Sequence, residues 1–115
     1  LESGEGVSPQ TQAFAQAYGD GDALGLTQLL TPMEKSKRDA LSETLKQWLD
    51  LLENALMSRS GADTVSPLAR ELARKRTAPA LYGGIQALRK ALDYTMGNVS
   101  PAAVCGWLSW ELRKR

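Results

Sequence analysis

Residues 31–60, TPMEKSKRDALSETLKQWLDLLENALMSRS, constrain this chain more than any other stretch, because they read as one long amphipathic helix. Thr31 is placed to cap it, since a threonine hydroxyl accepts from an orphan N–H of a first turn. Pro32 follows at the first helical position, where a missing N–H costs nothing, and Glu34 completes a capping box. Leu41, Leu45, Trp48, Leu52, Ala55 and Leu56 recur every three or four residues and so share a face, which Leu49 and Leu51 widen. Lys35, Asp39, Glu43, Lys46 and Asp50 fall mainly elsewhere. Gly61 is the expected left-handed terminator. About 28 residues at 1.5 Å each give roughly 42 Å, longer than a small domain needs for itself.

The other segments read as shorter helices packed on that one. Ser8-Pro9 opens a helix to about Tyr18. Gly19-Asp20-Gly21-Asp22 is a turn, with Asp20 or Asp22 capping a second helix whose apolar side is Leu24, Leu26, Leu29 and Leu30. The turn does not match a calcium loop, because the later oxygen ligands and the terminal glutamate are missing. After a loop over 61–65, Ser66-Pro67 starts a fourth helix. Thr77–Pro79 begins a fifth, with Leu81, Ile85, Leu88 and Leu92 at spacings of 4, 3 and 4, a stripe suited to antiparallel bundles. Gly83-Gly84 inside it lowers helix propensity, so another backbone is expected to approach there closely. Gly97-Asn98 closes it and Ser100-Pro101 opens the last helix. All five prolines therefore fall at expected helix starts, and no segment alternates like a strand. The fold expected is all-α, five or six helices around one long central helix at about 31–60. A lead at 1–7 precedes a single domain at 8–115.

Composition narrows function. The 115 residues include one cysteine, Cys105, and no histidine. An intrachain disulfide is excluded, a structural zinc site lacks its ligands, and the commonest general base is missing. Asp50 and Glu53 share a side of the long helix without a partner base, so no residue is assigned a catalytic role and no cofactor or metal is expected. No apolar run reaches the roughly 18 residues of a membrane span. A single thiol suits a reducing, cytoplasmic setting. Lacking an initial methionine, the chain is expected to be part of a longer one.

Charge is uneven. Residues 1–57 carry four bases against nine acids, while residues 58–115 carry ten bases against four acids. Such asymmetry fits oppositely charged subunit faces or a nucleic-acid face. Arg70, Arg74, Lys75, Arg76, Arg89 and Lys90, with Arg113, Lys114 and Arg115, are the candidate basic surface; the plainer reading is solvated faces and helix C-termini. The last helix carries two apolar stripes, Cys105, Leu108 and Leu112 beside Ala103, Trp107 and Trp110. An arc this wide implies contact on two sides. Either both belong to the chain's own core or Trp107 and Trp110 meet another subunit, tryptophan being a common interface anchor.

Three stretches resemble a known family. AFAQAYGDGDALGLTQLL at 13–30 is similar to a helix, a Gly-Asp turn and a leucine-rich helix. KRDALSETLKQWLDLLENALMSRSGA at 37–62 resembles the family's long helix. Residues 87–112 resemble its closing helix pair, joined here by Asn98-Val99-Ser100-Pro101. The order is that of the C-terminal collar domain of bacterial DNA polymerase III clamp-loader subunits, most closely of the delta-prime type, with gamma/tau as the related type. The resemblance implies a noncatalytic oligomerisation domain whose partners are other loader subunits in a hetero-oligomer, with DNA touched only indirectly or weakly. It also implies that the ATPase and zinc modules lie outside this stretch. The alternative is a stand-alone basic helical module for nucleic acid or protein.

Overall fold

Six α-helices make up nearly all of residues 9–61 and 67–113, the residues described by a computed structural model: α1 Pro9–Asp20, α2 Ala23–Met33, α3 Arg38–Arg59, α4 Pro67–Lys75, α5 Ala78–Met96 and α6 Pro101–Arg113. No strand occurs among the described residues, as the absence of alternating segments predicts. Ser8, Ser66, the lead at 1–7 and the C-terminal Lys114 and Arg115 lie outside the described residues, as do the side chain of Arg113 and most of the 61–65 loop.

Pro9, Pro67 and Pro101 are first residues of their helices and Pro79 stands in the first turn of α5. Pro32 does not begin a helix. It lies inside α2, one residue before the end. The Thr31 hydroxyl caps nothing; it donates to the Thr27 carbonyl one turn back at 2.8 Å. The physical reason is the apolar period that runs through the proline. Leu26, Leu30 and Met33 are buried at spacings of 4 and 3, and continuing the helix is what places Met33 inside. The chain then leaves in tight turns, Glu34, Lys35 and Ser36 each donating to the carbonyl three residues back. Leu24, expected on the apolar side of α2, is instead 67% exposed.

The central helix therefore starts at Arg38, with Lys37 before it supplying no side-chain cap. Asp39 in its first turn suits the positive end of the helix dipole. Its 22 residues span about 33 Å, within the molecule's longest dimension of 37 Å, so the overhang expected from 31–60 is not there. Leu41, Leu45, Trp48, Leu51, Leu52 and Ala55 are buried along one face, each large side chain contributing about 1.5–3 kcal/mol on leaving water. Leu56 and Leu92 are only partly buried. Gly61, with φ +97° and room for a β-carbon that would meet nothing within 4 Å among the described residues, follows as the left-handed residue.

The α3 helix lies most extensively against α5 and α4, and α1 also touches it. A second layer forms where α2 lies against α6, and α5 joins the two. Side-chain caps stand where turn chemistry places them. Asp22 accepts from the Gly25 N–H at 3.0 Å, Thr77 from Ala80 at 3.3 Å and Ser100 from Ala103 at 3.2 Å. Asn98, at φ 72°, is the left-handed residue between α5 and α6, a conformation asparagine tolerates.

Under α3 the aromatic side chains stack in a column. Phe14 lies face to face with Trp48 at 4.4 Å and with Tyr18 at 5.6 Å, and the Arg76 guanidinium sits over Tyr18 at 4.7 Å. The Tyr18 hydroxyl donates to the Ala80 carbonyl at 2.6 Å. Gly84 leaves room for that ring: a β-carbon there would lie 2.6 Å from the Tyr18 oxygen and 2.8 Å from Leu52 Cδ1. The close neighbours at this glycine are thus side chains, where a backbone was expected.

Candidate protein-interaction surface on α5 and α6

The outer face of α5 is set by a second heptad-like spacing. Tyr82, Gln86, Arg89, Asp93 and Met96, spaced 4, 3, 4 and 3, are all exposed, with Tyr82 at 56% and Met96 at 77%. The helix is turned this way because its buried stripe, with Leu81, Ile85 and Leu88, faces inward. Alongside, α6 buries Val104, Cys105, Leu108 and Leu112, which carries its tryptophans outward to different depths. Trp107 is half-buried, edge-on to Tyr94 at 5.2 Å and 82°. Trp110 is 55% exposed. Trp107 and Glu111 face Arg89, Lys90 and Asp93 across an open hollow of about 440 Å³. One of the two expected tryptophans, Trp107, and two of the expected bases, Arg89 and Lys90, meet here, whereas Trp110 is not among the residues lining the hollow.

The rest of the basic surface is dispersed. Arg70 and Arg74 line a separate hollow of about 680 Å³ at the α3–α4 end. Lys75 pairs with Asp20 at 3.0 Å and Glu71 at 3.6 Å, and the Asp20 hydrogen bond raises its amine above the ordinary lysine range. Arg76 covers the Tyr18 ring. Arg89 binds Glu53 at 2.8 Å. The six bases therefore do not form one continuous face. Two of these pairs, Asp20–Lys75 and Glu53–Arg89, join an acid of the first half to a base of the second. Part of the charge asymmetry is complementarity within the molecule. Glu53 is also withdrawn from any pairing with Asp50, which accepts from Asn54 Nδ2 at 3.4 Å.

Arg59 was not among the expected functional residues. It reaches from the end of α3 to donate to the Ala73 carbonyl at 2.8 Å and the Arg76 carbonyl at 3.2 Å. It thereby satisfies the end of α4, a role expected of the basic residues on α4 itself. Arg38 does likewise for the α5–α6 turn, donating to the Val99 carbonyl at 3.3 Å. Neither long-range contact has a local sequence signal beyond a base at the end of a helix.

Cys105 is buried. Burial, and secondarily Glu34, push its thiol up to about 11. Since the thiolate is the reactive form, native Cys105 is expected to react with a thiol reagent at least ~10-fold more slowly at pH 8 than the urea-unfolded chain. Equal rates would contradict its placement. Because the folded thiol holds its proton more tightly, its share of stability is intact below the unfolded thiol's ordinary range near 9 and is lost as pH rises toward 11.

Among the described residues, no group of three or more His, Cys, Asp or Glu is placed to hold a metal. No described helix is long and apolar enough to cross a membrane. No protein-family model matches this chain, and no curated protein or solved structure does so either.

Proposed function

We propose that this chain is a noncatalytic oligomerisation domain of the clamp-loader collar type, closest to delta-prime, acting in the cytoplasm through contacts with other loader subunits. In this reading it helps assemble the ring that places the sliding clamp on primed DNA. The observation that carries the interaction reading is the outer α5–α6 face. Trp110 and Tyr82 are both more than half exposed, on helices that frame a hollow lined by Trp107. Aromatic anchors on a rigid helix pair are what a protein partner uses. Support for the collar itself comes from the order of elements: a helix, a Gly-Asp turn, a leucine-rich helix, one long helix, and a closing pair joined at Asn98–Pro101.

The test is co-assembly with purified gamma/tau and delta subunits, followed by size-exclusion chromatography. Trp110→Ala is expected to weaken assembly by at least ~30-fold, about 2 kcal/mol for an interface anchor, while the melting temperature shifts by less than ~2 °C, since an exposed side chain adds little to folding. Failure to assemble with any loader subunit, or equal losses of assembly and melting temperature, would defeat the reading. A parallel titration with duplex DNA addresses the nucleic-acid alternative. Affinity falling steeply with salt would favour that module, and undetectable binding at low salt would remove it.

A further inference from the structure

The contacts that close this fold run largely between its two halves. Here α1–α3 form one half and α4–α6 the other. The most extensive helix pairs, α3 with α5, α3 with α4, and α2 with α6, all cross that boundary. The α4 helix rests mainly on α3 and α1, and within the second half only α5 and α6 touch extensively. Polar links follow the same rule. Tyr18 to Ala80, Thr27 to Ser109, Arg38 to Val99 and Arg59 to Ala73 all cross, as do Asp20–Lys75 and Glu53–Arg89. The aromatic column of the first half is covered by Arg76 of the second. Counted to Gly61, the first half has five bases against nine acids, and the second has nine bases against four acids. One covalent connection, residues 62–66, joins two surfaces that are complementary in shape and charge.

We propose that these halves recognise each other in trans, and that a second copy of this chain can supply either half, giving a dimer by reciprocal exchange. The exchanged and unexchanged interfaces are the same surface. What favours the monomer is the high effective concentration imposed by the 62–66 connection, so exchange emerges when closure within one chain is blocked. Exchange of an identical element is a low-cost route to a dimer because no new contact surface is needed. The inference is independent of the clamp-loader reading.

Two full-length variants test it. Leu52→Asp places a carboxylate in the buried face of the first half and Leu88→Asp in that of the second, both at fully buried positions, so each chain alone is expected to unfold. Co-refolded in equal amounts, they can build one bundle from two undamaged halves. The mixture is expected to regain about half of the wild-type helical ellipticity and to elute as a dimer. A mixture whose spectrum equals the mean of the separate chains would overturn the proposal. A second arm does not depend on either variant unfolding. A protease site replacing residues 62–66 of the otherwise native chain is cut under native conditions, and both pieces are expected to co-elute with ellipticity retained. Separation of the pieces on cutting would overturn mutual recognition.

Discussion

Truncating Trp48 to alanine is expected to lower the unfolding free energy by about 3–5 kcal/mol, the range for removing a large aromatic from a core. The indole is fully buried, lies parallel to Phe14 within 5°, and sits mid-way along the helix that most of the others contact. Total stabilities of single domains are about 5–15 kcal/mol, so this one change removes a large fraction. Trp48→Phe is expected to behave differently. The Trp48 Nε1 is buried without a hydrogen-bond partner among the described residues, and an unmade bond of that kind costs about 1–3 kcal/mol. Phenylalanine gives up part of the buried area but keeps a ring against Phe14 and relieves the orphan donor, so its cost should stay below about 1.5 kcal/mol, as for tolerated core swaps. Urea denaturation followed by far-UV circular dichroism measures both. Equal costs for alanine and phenylalanine would show that neither the stacking nor the orphan donor matters.

Two glycine replacements inside helices are expected to have opposite signs. Alanine at Gly84 gains up to about 1 kcal/mol of helix propensity, but its methyl enters the space of the Tyr18 hydroxyl and Leu52. The tyrosine cannot swing away cheaply. Its ring is held by Phe14 and Arg76, and its oxygen by the Ala80 carbonyl. Overpacking of about 1–3 kcal/mol should leave Gly84→Ala net destabilising by about 1–2 kcal/mol. Tyr18→Phe in the same chain should return part of that, by removing the atom nearest the new methyl. At Gly106 a β-carbon would meet nothing within 4 Å, so Gly106→Ala in the exposed interior of α6 should stabilise by about 0.5–1 kcal/mol. The denaturation midpoints should rank Gly106→Ala above the native chain and Gly84→Ala below it. The reverse order would mean that Tyr18 is not held as described.

Helix order was legible in the sequence because caps, prolines and apolar spacing agreed at most boundaries. Thr77, Asp22 and Ser100 are caps in the structure, and the inward stripe of α5 holds the predicted Leu81, Ile85 and Leu88, with Leu92 only partly buried. The boundary that failed was one where these signals conflicted. Local chemistry at Thr31-Pro32-Glu34 marks a helix start, whereas Leu26, Leu30 and Met33 continue a period across it. Burial of Met33 outweighed the cap, since a cap is worth about 1 kcal/mol and a buried large apolar side chain about 1.5–3 kcal/mol. The candidate surface was legible only in part. Trp110 could be suspected from the width of its apolar arc, and it is 55% exposed. The basic surface could not be resolved, because the shortest ion pairs of Lys75 and Arg89 are with acids 55 and 36 residues away in the chain.

The arginine strap at the end of α4 has a consequence for motion. Nine residues are too few for a helix to persist unaided in water, so α4 is held by its neighbours rather than by its own ladder. Arg59 makes the terminal carbonyls of α4 dependent on the last turn of α3. Fraying at the end of α3 therefore releases the end of α4, and the two segments should open together as one cooperative unit. In native-state hydrogen exchange, the last amides of α4 would then share the opening free energy and denaturant dependence of the last turn of α3, and Arg59→Ala, which removes the Nη1 donor to both carbonyls, would speed exchange at both.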